Sequence, residues 1–170
     1  KSLDLRFLAQ FGTVVGVELS QIAIKDFFEE WGESSETSLL HGIPSTHGNN
    51  VSLLEADIFK LPAELHGTFT HAYDRASMIA LPPQMRAGYV TVLRDLLEVG
   101  GEVLLVTIQY PDGDLSGPPF SVGPEWLEEH AGPHFFIERI ETIDTWRPDS
   151  PLAAEGLTAL NTHVFRLKKK

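Results

Sequence analysis

The chain contains no cysteine, which excludes together a disulfide framework, a Cys-based zinc site, a thiol nucleophile and an iron–sulfur cluster. Basic residues are scarce: 13 Lys and Arg against 24 Asp and Glu leave a formal net charge of −11. A large nucleic-acid footprint does not fit that balance, because phosphate-backbone binding works through clustered cations. The closing lysines Lys168, Lys169 and Lys170 read as a solvated chain end. No apolar run approaches the ~20 residues that span a bilayer, and the first residues carry no signal-peptide core. Missing as well are a GxSxG elbow, a GKS or GKT phosphate loop, a complete GxGxxG and an HExxH pair. The seven histidines show no ligand spacing, so no metal is expected. A soluble, cytoplasmic protein is expected, with neither membrane nor nucleic acid as partner. At 170 residues one domain, 1–170, with a sizeable core is expected.

What is present is an alternation of helical and strand-like patterns. KSLDLRFLAQFG spaces Leu3, Leu5, Phe7, Leu8 and Phe11 as a helix from Ser2 to Phe11 with Gly12 at its stop. Nothing precedes it, so it reads as an interior helix of a larger unit. VVGVELS predicts a strand over 14–19, and Ser20 caps a helix that runs to Trp31. Residues 32–50, polar and rich in Gly, Ser and Thr, read as an exposed loop insertion in which only Leu39 and Leu40 pack. VSLLEAD and FTHAYDRA are further strands. PPQMRAGYVTVLRDLLEVGG opens with helix-starting prolines and closes on Gly100 and Gly101 as a helix stop. EVLLVTIQY is the clearest strand, followed by a Gly/Pro-rich loop, a short helix around 124–130, and two late strands, FFIERIETI and THVFRLK. Strands separated by helices define an α/β fold with a mostly parallel sheet covered by helices on both faces, and the late pair forms an antiparallel edge.

In such sheets ligands bind beyond the carboxyl ends of the strands, where Glu18, Asp57 and the Asp74-Arg75 pair fall. Glu18 has the chemistry to accept two hydrogen bonds from a ribose; an exposed glutamate favoured by the helix N-terminus at Ser20 explains it equally well. Asp57 and Ile58 are placed to meet an adenine edge and face, or else form a turn beside a core residue. Asp74 and Arg75 bring opposite charges to the rim, either as a ligand fork or as a structural ion pair. In GPPFS, residues 117–121, two prolines stiffen a loop that carries Phe120, which suits a pocket wall or an ordinary turn over the sheet edge.

KSLDLRFLAQFG, VVGVELS, AIKDFF, ADIF, YDRASMIALPPQMRAGY, LLVTIQY and GPPFSV together resemble the thiopurine S-methyltransferase family, through nearly the whole chain. YDRA followed by ALPPQMR, and GPPFSV after the strongest strand, are its specific parts. Halide and thiol methyltransferases share the GPP loop but differ around the DRA segment. The resemblance implies a Rossmann-like class I methyltransferase sheet and the cofactor S-adenosyl-L-methionine. The implied activity is methyl transfer to a thiol or thiopurine-like acceptor, with selenium and tellurium compounds as further acceptors. It makes Glu18, Asp57, Ile58 and Arg75 cofactor-binding, and Asp74, Arg75, Pro118, Pro119 and Phe120 substrate-binding; it names no catalytic residue. The family's first strand and N-terminal segment would lie ahead of Lys1, so an incomplete methyltransferase domain, a weak cofactor binder by itself, is expected. Two other readings stay open at this point: a non-catalytic remnant serving as a binding module, and a nicotinamide-dependent oxidoreductase.

Overall fold

The computed structural model describes residues 3–170; Lys1 and Ser2, the latter expected at the start of the first helix, lie outside the described residues. The chain divides into two compact units, 1–64 and 65–170. In the first, α1 (Leu3–Leu8), β1 (Val14–Glu18) and α2 (Gln21–Trp31) are followed by β2 (Glu36–Leu40), β3 (Ile43–Gly48) and β4 (Val51–Glu55). The predicted cap forms: Ser20 Oγ accepts the Ala23 N–H at 3.2 Å. Gly32, at φ 73°, closes α2 in the left-handed conformation that only glycine adopts without strain. Helical spacing puts Ile24, Phe27 and Phe28 on one buried face, clustered with Ala9, Val51 and Leu53 and flanked by Leu5, Val14 and Trp31. The glycine inside β1 has a packing cause, since a Cβ on Gly16 would lie 2.6 Å from Leu53 Cδ2 and 3.5 Å from Leu5.

The segment 32–50 is not a loop. It adds two antiparallel strands, so the sheet runs β1-β4-β3-β2 with only β1 and β4 parallel. Two-residue turns make both hairpins: His41-Gly42 with φ 50° and 81°, and Asn49-Asn50 with φ 51° and 64°. Positive φ at both positions is the type I′ arrangement, whose twist matches that of paired strands. Leu39, expected to pack, is 71% exposed, while its neighbour Leu40 is half-buried.

The second unit contains β5 (Phe69–Asp74), α3 (Ser77–Ala80), α4 (Pro83–Leu96), β6 (Leu97–Gln109), α5 (Pro124–Ala131), β7 (Phe135–Asp144), α6 (Pro151–Ala154) and β8 (Asn161–Lys169). Its sheet order is β5-β6-β8-β7; β5 and β6 are parallel, and the two late strands form the expected antiparallel edge. Gly100 and Gly101 do not stop a helix. α4 ends at Leu96, and the glycines lie inside β6 where its pairing with β5 shifts register. Gly100 has φ 80°, and a Cβ on Gly101 would come within 3.0 Å of the Glu98 and Thr70 carbonyls. Alternation along β6 buries Val103, Leu105 and Thr107; β8 buries Phe165 and Leu167, and the helices supply Val90, Leu93, Leu127 and Ala131.

The hairpin assignment has a direct test. Asn49→Val places a β-branched residue at positive φ and is expected to lower stability by about 1–2 kcal/mol, read as a drop in the urea midpoint. Asn49→Gly is expected to leave stability unchanged or raise it. A valine variant as stable as the native chain contradicts the turn.

Candidate active site

β1 and β4 are parallel neighbours in register, so their carboxyl ends, Glu18 and Glu55, lie side by side, and the Ala56 N–H donates to the Glu18 carbonyl at 3.1 Å. One rim of the first unit therefore gathers Glu18, Asp57 and Ile58. Glu18 Oε1 accepts the Ser20 N–H at 2.9 Å, a fixed orientation at the start of α2 where negative charge is favoured. Its second oxygen has no hydrogen-bond partner among the described residues. Asp57 Oδ1 accepts the Phe59 N–H at 3.0 Å and begins the 3-10 turn Ile58–Lys60; Lys60 Nζ stands 3.6 Å from Oδ2. Ile58 is half-buried.

In the second unit Asp74 ends β5 and is 2% exposed. Its Oδ1 accepts the Ser77 N–H at 2.8 Å and its Oδ2 the Met78 N–H at 3.1 Å, which starts α3. Burial holds this carboxyl above its usual range, opposed by hydrogen bonds from Ser77, the Tyr89 hydroxyl, Met78 and Ala76. The charged pair of the sequence is thus split, with Asp74 turned into the protein and Arg75 exposed. The Ile79 carbonyl of α3 accepts the Phe120 N–H at 2.7 Å, joining the segment that carries Asp74 and Arg75 to the loop that carries Pro118, Pro119 and Phe120. That loop is further fixed by the Tyr110 hydroxyl, donating to the Pro119 carbonyl at 2.8 Å, and by Ser121 Oγ, accepting the Tyr110 N–H at 3.1 Å. Gly117 has φ 68°, and a Cβ there would collide with the Phe120 ring. Arg75, assigned to both ligand groups in the sequence, belongs to this unit, whereas Glu18, Asp57 and Ile58 belong to the other.

One residue escaped the sequence reading. Arg86 in α4 is 4% exposed; Nε donates to the Leu81 carbonyl at 3.0 Å and Nη1 to the Ser121 carbonyl at 3.2 Å. Its guanidinium carbon stands 5.3 Å from the Phe120 ring centre and 6.0 Å from that of Trp126, and Nη2 is buried without a hydrogen-bond partner among the described residues. Burial pushes Arg86 below its ordinary value, against a raising influence from Tyr110. A cation in the first turn of a helix opposes the helix dipole. That misplacement, in PPQMR, is the signal by which it was findable.

Gln109, the last residue before the loop, is wedged in place. Its Oε1 lies 3.0 Å from His163 Nε2, His163 Nδ1 lies 2.9 Å from Thr142 Oγ1, and a Cβ on Gly123 would stand 2.6 Å from Gln109 Nε2. An amide oxygen only accepts, so Nε2 carries the imidazole proton. Burial lowers the His163 pKa, Arg139 on β7 adds to the shift, and Glu125 on α5 opposes it.

The alternation of elements, the parallel pairs and the antiparallel edge define an α/β fold of the class I S-adenosylmethionine-dependent methyltransferases. Two solved structures share it. The S-adenosylmethionine-dependent methyltransferase of Anabaena variabilis aligns at TM-score 0.65 and 18% identity over 98% of this chain and 72% of that one. The Burkholderia thailandensis 1,6-didemethyltoxoflavin-N1-methyltransferase, solved with S-adenosylhomocysteine, aligns at TM-score 0.61 and 17% identity over 98% of this chain; this chain spans 65% of that enzyme's length. A family model described as thiopurine S-methyltransferase matches residues 1–170. The thiopurine S-methyltransferase of Shewanella sp. strain ANA-3 is 39% identical over 171 residues, covering 100% of this chain and 78% of that protein. The chain belongs to the thiopurine S-methyltransferase family, whose members are S-adenosylmethionine-dependent methyltransferases. Among the described residues no helix is long and apolar enough to cross a membrane.

The His163 arrangement predicts an acid-sensitive stability. A histidine whose folded pKa is depressed contributes stability that is complete above the unfolded value of about 6.5 and is lost as pH falls through the folded value. Melting temperatures of the native chain and His163→Gln, taken from pH 8 to pH 5, are expected to differ in slope below about 6.5, with the native chain the steeper. Parallel curves would show that His163 titrates alike in both states.

Proposed function

We propose that the protein transfers the methyl group of S-adenosylmethionine to the sulfur of a small, flat thiol of thiopurine-like shape, with selenium- and tellurium-containing anions as chemically related acceptors. The observation that carries this reading is Arg86: a buried guanidinium with one unpartnered nitrogen, seated against the Phe120 ring of a rigid loop. A cation in a dehydrated, aromatic-walled setting favours a thiolate over a thiol and suits a planar heterocycle. On this reading Arg75, Pro118, Pro119 and Phe120 bound the acceptor, and Asp74 acts from below by starting α3, whose Ile79 carbonyl holds Phe120.

On the rim of the first unit, the unpartnered oxygen of Glu18 fits a ribose diol, which offers two hydroxyl donors to a carboxylate. Asp57 and Ile58 would border the adenine. Bound S-adenosylmethionine supplies an electron-poor methyl group, and displacement needs only a positioned, ionised nucleophile with water excluded. Arg75, exposed beside the buried Asp74, would favour that ionised form and keep the acceptor in line. We take the two units as parts of one methyltransferase domain, a reading supported by the family match across 1–170, and propose that it works as a monomer in the cytoplasm.

The test is transfer of labelled methyl from S-adenosylmethionine to an aromatic thiol by the purified protein. Glu18→Gln is expected to weaken cofactor binding by roughly 1.5–3 kcal/mol, the range for a lost charge-assisted hydrogen bond, as read by calorimetric titration; unchanged affinity would leave Glu18 as a helix-start residue only. Arg75→Met is expected to lower kcat/KM for the thiol far more than it lowers cofactor affinity. That loss should shrink as pH rises and the thiol ionises unaided, and Arg75→Lys should recover part of it. A native rate at every pH, with only a lower melting temperature, would return Arg75 to the scaffold.

A further inference from the structure

The loop between β6 and α5 is held very unequally along its length. Residues 119–122 are tied by the Tyr110 hydroxyl, the Tyr110 N–H, the Ile79 and Ile108 carbonyls and Arg86. Residues 111–118 run beside a cavity of about 170 Å³ lined by Asp114, Leu115, Ser116, Gly117, Pro118 and Glu155. That is below the roughly 300–1,000 Å³ of an ordinary ligand pocket; it is space the loop does not pack against. Among the described residues, the hydrogen bonds that tie this half to another element converge on a single carboxylate oxygen. Asp114 Oδ2 accepts both the N–H and the hydroxyl of Thr158, each at 2.7 Å. Thr158 itself stands on a firm base: Leu157 is 3% exposed, its N–H donates to the Leu152 carbonyl at 3.1 Å, and its carbonyl accepts the Trp146 indole N–H at 3.1 Å.

We propose that Asp114 and Thr158 are positioning residues for the acceptor: their clasp fixes the leading half of the loop and thereby the reach of the Pro118–Phe120 wall, so that it selects acceptors by size. This rests on the reading of that wall as the border of the acceptor. Two short bonds to an ionised oxygen are stronger than neutral ones and direct the loop geometrically. Because they are the hydrogen bonds that join this half to another element among the described residues, their loss is expected to loosen the segment. Thr158 thus acts on the reaction through Asp114, and Asp114 acts through Pro118.

Hydrogen exchange and steady-state kinetics on Asp114→Ala test the clasp together. The amides of Thr158 and of residue 114 are expected to exchange faster in the variant while those of 120–123 keep native rates. KM for a small aromatic thiol is expected to rise about three- to tenfold, with kcat and cofactor affinity near native, as for a lost hydrogen bond that orders a binding wall. The ratio of KM values for a bulky and a small thiol should fall. Thr158→Ser keeps both donors and should behave as native. Thr158→Val keeps only the backbone donor and should fall between, which also serves if Asp114→Ala does not fold. Native exchange at Thr158 and residue 114 overturns the clasp, and faster exchange with native KM values and an unchanged size ratio overturns its role in acceptor selection. A native protein that methylates no thiol refutes the proposed function instead, and exchange then decides the clasp by itself.

Discussion

The second unit hangs on one buried carboxylate. Asp74 closes β5 and takes the first free N–H groups of α3, which would otherwise be buried without partners at a helix start. Because α3 is only four residues long, this capping is what gives it a defined direction. Its Ile79 carbonyl then receives the Phe120 N–H, and the aromatic ring beside Arg86 inherits its position from an aspartate 46 residues earlier in the chain. The Tyr89 hydroxyl from α4 completes the set of donors around Asp74, so the strand end and two helices share a single polar centre. A carboxyl that stays buried at this cost in hydration does so because several donors converge on it.

The first unit uses a carboxylate differently. Glu18 also takes a backbone N–H just beyond its strand, but it is half-exposed and spends only one oxygen on the fold. The contrast separates a residue consumed by structure from one with valence left for a ligand. Among the acidic residues singled out at strand ends, the number of engaged oxygens, and not the position in the strand, tells the two apart. Asp57 lies between them, with one oxygen capping a turn and the other near Lys60.

Much of the fold was legible because helices and strands were written by periodicity. The α2 face of Ile24, Phe27 and Phe28, the Ser20 cap and the antiparallel pair at the end of the chain all follow from spacing and capping chemistry. The strands of 36–48 were not legible, since β2 is exposed at four of its five residues and β3 is polar with Ser45 as its buried residue, so neither carries an apolar alternation to read. Their signal lay in the turns, His41-Gly42 and Asn49-Asn50, where residues tolerant of positive φ stand in adjacent pairs. The two glycines of β6 misled for a related reason. A glycine after a helical pattern looks like a stop, and only the neighbouring strand shows that it relieves a bulge against the Thr70 and Glu98 carbonyls.

Sequence alone determined the class of fold, the family and the letters of the rim, because these reside in local patterns and short motifs that need no partner to be recognised. Tertiary structure decided which of those letters face inward. Asp74 and Arg75 are adjacent in sequence, yet alternation of side chains along the strand end and the demand of α3 for a cap turn one in and leave the other out. Arg86 looked like any cation on an amphipathic helix, and became a buried group only because Phe120 and Trp126, both beyond the next strand, close over it. Such burial depends on residues distant in the chain arriving at one place, and the local pattern records only that a cation stands where the helix dipole disfavours it.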